Sequence, residues 1–287
     1  MPQVIFYDVN HHEAMGLLVV IYFFMSGLGA GAFLTGAAFQ LFGGPNGAKI
    51  AKRAAIAAPI LLIPGLLCLM LDLGQPMRFF NLMLYFNVQS IASWGVWLIN
   101  IFMGLSVLFA LLHFAGKAKA ARPLAYLGSV FAIAVGLYSG MLLYQMRGYE
   151  LWHSALVPPI FLVSAIASGM AVVLLLSRGS DPQAIRTLTR ALAVVIGVDL
   201  VLALTEILTL VWSHGAKGEA ADVILSGGFG FMFIGLYLIL GLVLPLLLLM
   251  RRQAGRGVYV TIAVMVLVGT LAMRFVIVIG GQAVPLS

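Results

Sequence analysis

Leu17-Leu18-Val19-Val20-Ile21-Tyr22-Phe23-Phe24-Met25-Ser26-Gly27-Leu28-Gly29-Ala30-Gly31-Ala32-Phe33-Leu34-Thr35-Gly36-Ala37-Ala38 is the heart of an apolar run, residues 16–41, that contains no Asp, Glu, Lys or Arg. At about 1.5 Å of rise per residue, roughly 20 such residues cross the hydrocarbon core of a bilayer. A helix with no polar stripe has no side to offer water, so the run reads as a transmembrane span. The same pattern recurs at 54–73, 91–114, 123–145, 156–177, 188–213, 226–250 and 257–280. The expectation is an all-α integral membrane protein of eight spans, with no connection long enough for a separate domain.

Composition agrees. The chain of 287 residues is 63% hydrophobic and 9% charged, where a soluble domain carries roughly 25% charged residues. Its mean hydropathy is +1.12. A net charge of +7 would suggest nucleic acid in a soluble protein, but here the cations sit in short connections between apolar runs, which is a membrane pattern and excludes that partner. One cysteine, Cys68, excludes a disulfide or a cysteine-ligated cluster within the chain. The first fifteen residues hold no Lys or Arg, so no cleavable signal is expected.

Orientation follows from the cations. Lys49, Lys52, Arg53, Lys117, Lys119, Arg122, Arg178, Arg186, Arg190, Arg251, Arg252 and Arg256 fall on one side, and only Arg78, Arg147 and Lys217 on the other. The rich side is expected to face the cytoplasm, which leaves both termini outside. Trp94, Trp97, Trp152 and Trp212 then fall at the outer interface, where an aromatic belt is expected.

A shift of 138 residues lays spans one to four on spans five to eight, aligning Ser26-Gly27-Leu28-Gly29-Ala30-Gly31 with Ser164-Ala165-Ile166-Ala167-Ser168-Gly169. Four spans restore the chain direction, so the halves, 1–145 and 146–287, are expected as two four-helix bundles related by an axis along the membrane normal. Gly27 to Ala32 superficially matches a dinucleotide-binding loop, but that fingerprint needs a strand before it. Inside a span, Gly27 and Gly31 form GxxxG, which lets helix backbones approach closely.

The polar residues of the outer half carry the chemistry. Asp72 closes the second span, followed by Gly74, Gln75, Pro76 and Arg78; Tyr138 and Tyr144 lie in the fourth, Glu206 in the sixth, Arg274 in the eighth, and Asn10, His11 and His12 just before the first. An ionisable group inside a span costs about 2.5–3.5 kcal/mol on insertion scales. Two readings stand open: a polar pocket beneath the outer face, or a buried Glu206–Arg274 pair that only fixes helix register. Asp199 lies seven residues before Glu206 on the same helix face. It either forms a proton relay with Glu206 or is hydrogen-bonded to a neighbouring helix. His11, His12, His153 and His214 are near the outer surface and only His113 approaches the other side, so no facing histidine pair for haem is expected.

The chain resembles the NrfD/polysulfide reductase membrane-subunit family. The matching stretches are Tyr22 to Phe33, Leu71-Asp72-Leu73-Gly74-Gln75-Pro76-Met77-Arg78-Phe79, Ser93-Trp94-Gly95, Tyr138-Ser139-Gly140, and Arg274-Phe275-Val276-Ile277-Val278-Ile279-Gly280-Gly281-Gln282. The resemblance implies eight helices in two bundles and no cofactor beyond quinone (menaquinone or ubiquinone). It also implies a multi-pass protein of a bacterial or archaeal cytoplasmic membrane, docked on its outer face to an iron–sulfur subunit with four ferredoxin-type clusters, usually with a molybdopterin catalytic subunit. The pocket it implies draws on Asn10, His11 or His12, Asp72, Tyr138 and Glu206, with Arg78, Tyr144 and Arg274 nearby. Gln75 stands where members often carry Arg or Lys, leaving Arg78 as the local cation.

Quinone chemistry fits such a pocket, because two carbonyl oxygens need hydrogen bonds and protons must move near neutral pH. A phenol supplies such a bond. Two other functions compete: a secondary transporter or ion channel, suggested by the repeat and the intramembrane acids, and a passive anchor for a peripheral redox complex. Against transport, no span is broken at mid-membrane in both halves, although Pro64 and Pro245 are expected to interrupt the second and seventh.

Overall fold

The computed structural model describes residues 15–72, 87–146, 148–213, 216–250 and 255–283. These form nine helices and no β-strand: α1 (Leu17–Phe42), α2 (Gly44–Asp72), α3 (Ile91–Phe114), α4 (Arg122–Tyr144), α5 (Val157–Leu176), α6 (Pro182–Val211), a short α7 (Ala216–Leu225), α8 (Gly227–Leu249) and α9 (Arg256–Gly280). All but α7 are long and apolar enough to cross a membrane, which makes eight spans among the described residues.

Two helix starts differ from the sequence expectation. Residues 43–47 and 179–182 read as breaks, yet α2 begins at Gly44 and α6 at Pro182. Gly44 turns the chain at φ +57, a conformation open to glycine at no steric cost. Pro45 then serves as an early helical residue, where a missing N–H costs nothing. At α6, the Asp181 carboxylate accepts from the Gln183 amide at 2.8 Å and caps the helix. Lys49, Lys52 and Arg53 therefore stand on the first turns of α2 rather than in a loop. Pro59 and Pro64 lie inside α2, which runs through both without the expected interruption.

The last two spans change helix type. Residues Phe231–Val243 of α8 and Val276–Gly280 of α9 are π-helical. The shifted ladder of a π segment re-aims carbonyls, and one finds a partner outside the helix: the Trp152 indole donates to the Ile277 carbonyl at 2.6 Å. Trp152 is 0% exposed, so it is a core residue and not part of a lipid-facing belt. A buried indole needs an acceptor, and Ile277 supplies it. Trp94, Trp97 and Trp212 are exposed, as an interfacial belt requires.

Burial sorts the spans. α1, α5 and α9 are 61–67% buried along their most apolar stretch and the other spans 28–44%, so the first three form the centre and the others face outward. Contacts close two rings, α1–α2–α3–α4 and α5–α6–α8–α9, which meet chiefly through α1 and α5. The backbones touch where these cross. A Cβ on Gly31 would lie 2.0 Å from the Ala165 carbonyl oxygen, and one on Gly169 would lie 2.2 Å from the carbonyl carbon of Gly31. About two turns toward the N-terminal ends of both helices, the Phe23 and Phe161 rings meet edge to face at 6.0 Å. Gly31 and Gly169, like Phe23 and Phe161, are equivalent positions under the 138-residue shift.

Candidate functional site

Asn10, His11, His12 and Arg78 lie outside the described residues. The remaining candidate residues fall into two clusters, one in each ring of helices.

In the first ring, Tyr138 of α4 turns its phenol onto α3. Space for it exists because residue 95 is glycine: a Cβ there would sit 1.8 Å from the ring carbon that bears the hydroxyl. The two residues before Gly95 fix the start of α3. Ser93 accepts a hydrogen bond from the Asn87 amide through its Oγ at 3.1 Å, and the Trp94 indole donates to the Val88 carbonyl at 2.9 Å. Ser-Trp-Gly is thus two braces and a socket. Tyr22 of α1 is 2% exposed and close enough to Tyr138 to interact electrostatically. Neither hydroxyl has a hydrogen-bond partner among the described residues. At the C-terminal end of α2, in the same ring, the Asp72 carboxylate approaches Gly16, which precedes α1; its Oδ1 is 4.0 Å from where a Cβ would be. The start of α1 is pinned by α9, since Gln282 accepts from the Met15 amide at 3.1 Å and donates to the Met15 carbonyl at 2.9 Å.

The second ring holds Glu206, Asp199 and Arg274. Glu206 accepts from the Ser154 hydroxyl at 2.7 Å. It borders a cavity of about 270 Å³ lined also by Glu150, His153, Thr209 and Ser213. On its inner side lies a smaller cavity of about 20 Å³, bounded by Glu206 and Tyr237 with apolar residues around them. The Tyr237 hydroxyl in turn donates to Asp199 Oδ1 at 2.9 Å. Of the two readings of Asp199, the hydrogen bond to a neighbouring helix is present; it does not exclude a relay.

Arg274 is 1% exposed, and its partners are on α5. Its Nη2 donates to the Phe161 carbonyl at 2.8 Å and the Ser164 hydroxyl at 3.2 Å, while the guanidinium lies 3.7 Å over the Phe161 ring. Asp199 acts on it electrostatically, and no ion pair or hydrogen bond joins it to Glu206 among the described residues. The Glu206–Arg274 lock therefore does not form. Asp199 Oδ2 and Arg274 Nε and Nη1 are buried without a hydrogen-bond partner among the described residues, and such atoms call for ordered water.

Among the described residues the two clusters share no lining residue. The described cavities around Glu206 are lined by α5, α6, α7, α8, α9 and the α4–α5 connection, whereas Tyr138 faces α1 and α3. Tyr144, the last residue of α4, stacks on His153 at 4.7 Å between ring centres instead of joining Tyr138. Sequence reasoning missed Tyr22, Ser154 and Tyr237 as site residues. Tyr22 is five residues from the start of α1 and Tyr138 six from the end of α4, and that similar depth was the available signal.

Eight spans among the described residues, carrying buried polar clusters, make this a multi-pass membrane protein. The family description "Polysulphide reductase, NrfD" matches residues 9–285, and the chain belongs to that family. Among its relatives, a polysulfide reductase chain of Wolinella succinogenes is 28% identical, over 92% of this chain and 93% of that one. A selenate reductase subunit of Mesobacillus selenatarsenatis is 27% identical over 96% and 76% of the two chains. The Hdr-like menaquinol oxidoreductase integral membrane subunit of Archaeoglobus fulgidus is 32% identical over 56% and 43%.

Proposed function

We propose that the chain is the quinone-reactive membrane subunit of a respiratory oxidoreductase, with the quinone headgroup held in the first ring and protons moved through the second. The observation that carries this reading is the pair of buried phenols, Tyr22 and Tyr138, whose hydroxyls have no hydrogen-bond partner among the described residues. A quinone headgroup presents two carbonyl oxygens that accept such bonds, and its reduction takes up two electrons and two protons. Tyr138 donates to one oxygen, with Gly95 fixing where the hydroxyl points. Asp72 at the mouth and His11 or His12, three or four residues ahead of Met15, exchange protons with the outer aqueous phase. Asn10 and Arg78 are further candidate quinone-binding residues, and Tyr144 lies toward the surface. Electrons pass to or from an iron–sulfur partner, since the one cysteine rules out a cysteine-held cluster in this chain. The names of the relatives, subunits of reductases and of a menaquinol oxidoreductase, support this assignment.

The proton route runs from the outer cavity to Glu206, across the small cavity to Tyr237, and on to Asp199. Glu206 and Asp199 are about 10 Å apart along α6, too far for direct transfer. The 20 Å³ space between Glu206 and Tyr237 has the size of one water. Arg274 balances the charge of Asp199 from the centre of the molecule. The proposal also includes the division into halves at 145/146, their relation as a parallel repeat, termini outside, and docking on the outer face of a cytoplasmic membrane to a four-cluster iron–sulfur subunit and a molybdopterin subunit. The 138-residue offset between touching positions of α1 and α5 favours that symmetry.

The test is purification from native membranes. A co-purifying iron–sulfur protein, extractable quinone, and Tyr138→Phe and His12→Ala variants that assemble normally but turn over quinol slowly are the expected results. Normal assembly with an unchanged quinol rate would leave only the anchor role.

A further inference from the structure

A cavity of about 160 Å³ opens at the Lys/Arg-rich end of the molecule, between the last turn of α5, the connection to α6, and the first turns of α9. It belongs to neither polar cluster. Its polar lining comes from Arg178, Arg256, Ser177 and Tyr259, and no carboxylate borders it among the described residues. Both arginines are exposed, and neither makes a hydrogen bond or an ion pair among the described residues. The nearest acid in sequence, Asp181, already accepts from the Gln183 amide as the cap of α6. Further positive charge rims the connection. Arg53 donates to the Leu176 carbonyl at 2.9 Å and the Ser180 hydroxyl at 3.2 Å, and the Lys49 ammonium lies 3.5 Å from the Gly179 carbonyl. Two uncommitted guanidinium forks converging on one cavity match a phosphodiester, whose anionic oxygens accept bonds from both.

The remaining walls say what else the ligand carries. Leu174, Leu175, Ile185 and Val260 are apolar and stand on the spans themselves, and Val260 is 41% exposed on the outward face of α9. A free inorganic anion has no use for such a wall, whereas an acyl tail that continues from the phosphate does. Basic pockets between spans on the Lys/Arg-rich side are where anionic headgroups dock. We propose that this cavity binds an anionic phospholipid, its phosphate between Arg178 and Arg256 and an acyl tail against Leu175 and Val260. The site holds the start of α9 to the end of α5, and α9 carries Arg274.

The full-length protein purified in detergent is titrated with phosphatidylglycerol, phosphatidylcholine or inorganic phosphate, and binding is read by native mass spectrometry and thermal unfolding. Phosphatidylglycerol is expected to bind and raise the unfolding temperature; phosphatidylcholine and millimolar phosphate are not. Arg178→Gln and Arg256→Gln each weaken phosphatidylglycerol binding about tenfold, the loss of one charge-assisted bond. Arg178→Lys falls between wild type and Arg178→Gln, while Arg186→Gln, on the same face but off the cavity, has no effect. Unfolding in phosphatidylcholine micelles verifies that the variants are folded. Undiminished phosphatidylglycerol binding by the folded double variant, equal binding of phosphatidylcholine, or full competition by inorganic phosphate would each overturn the assignment.

Discussion

Replacing Gly95 by alanine puts the proposed pocket to its most direct trial. The added Cβ would lie 1.8 Å from Cζ of Tyr138 and 2.0 Å from its hydroxyl oxygen, whereas non-bonded carbons rest about 3.5–4.0 Å apart. The ring must therefore retreat by roughly 2 Å, which takes the hydroxyl out of the 2.5–3.0 Å range of an O–H···O bond. Alanine is the better helix former by about 1 kcal/mol, and an off-rotamer tyrosine costs about 0.5–1.5 kcal/mol. The two nearly cancel, so the protein should fold and assemble. What is lost is one neutral hydrogen bond to the quinone headgroup, about 0.5–1.5 kcal/mol, which is roughly a two- to tenfold weaker apparent quinol affinity. Quinol titration of the purified complex measures this, with thermal unfolding run alongside. The decisive control is Tyr138→Ala, in which the socket is empty and a second substitution, Gly95→Ala, should cost nothing further. Equal harm from Gly95→Ala with and without the phenol would refute the reasoning, because the effect would then not pass through Tyr138.

Other consequences are as specific. Gly31→Ala drives a methyl into the α5 backbone and should cost about 3 kcal/mol or more in detergent unfolding; a loss under about 1 kcal/mol would contradict the observed crossing. Asp199→Asn keeps a partner for Tyr237 but carries no charge and should lower proton uptake per turnover while quinol affinity holds; unchanged stoichiometry and rate would remove Asp199 from the route. Arg274→Lys retains charge but not the planar contact with Phe161 or the paired donation to Phe161 and Ser164. It should lower stability by about 2 kcal/mol, and wild-type unfolding would argue that charge alone matters there. Trp152→Phe strands the Ile277 carbonyl and should destabilise by about 1–3 kcal/mol, a loss that Trp152→Tyr should not fully restore.

The spans were legible because each is a long charge-poor run, and the bilayer sets its length. The early starts of α2 and α6 were not, since Gly-Pro and Asp-Pro signal a turn and a helix start alike; only geometry decides between them. Trp152 misled for a related reason. Belt placement is a statistical tendency of tryptophan near a span end, and it cannot see that a π segment next door offers a carbonyl. The site was half legible. Glu206, Asp199 and Tyr138 stand out because burial of a polar group in lipid is costly, but depth along a helix says nothing about which side it faces. Similar depth and the family resemblance both pooled Tyr138 and Glu206 into one pocket, whereas in the structure the two groups stand in different rings of helices. Tyr237 stayed hidden inside an apolar run, although a buried carboxylate at Asp199 demanded a donor from a neighbouring span.

The indole of Trp152 reaches further than its own surroundings. By taking the Ile277 carbonyl it fixes the winding of the final turn of α9, and that winding sets the direction in which Gln282 leaves the helix. Gln282 grips both backbone groups of Met15. A residue in the connection before α5 thus acts as a brace for the threshold of α1, on the far side of the molecule's internal seam. Loss of the Trp152 indole should therefore be felt at the start of α1, where Asp72 approaches Gly16.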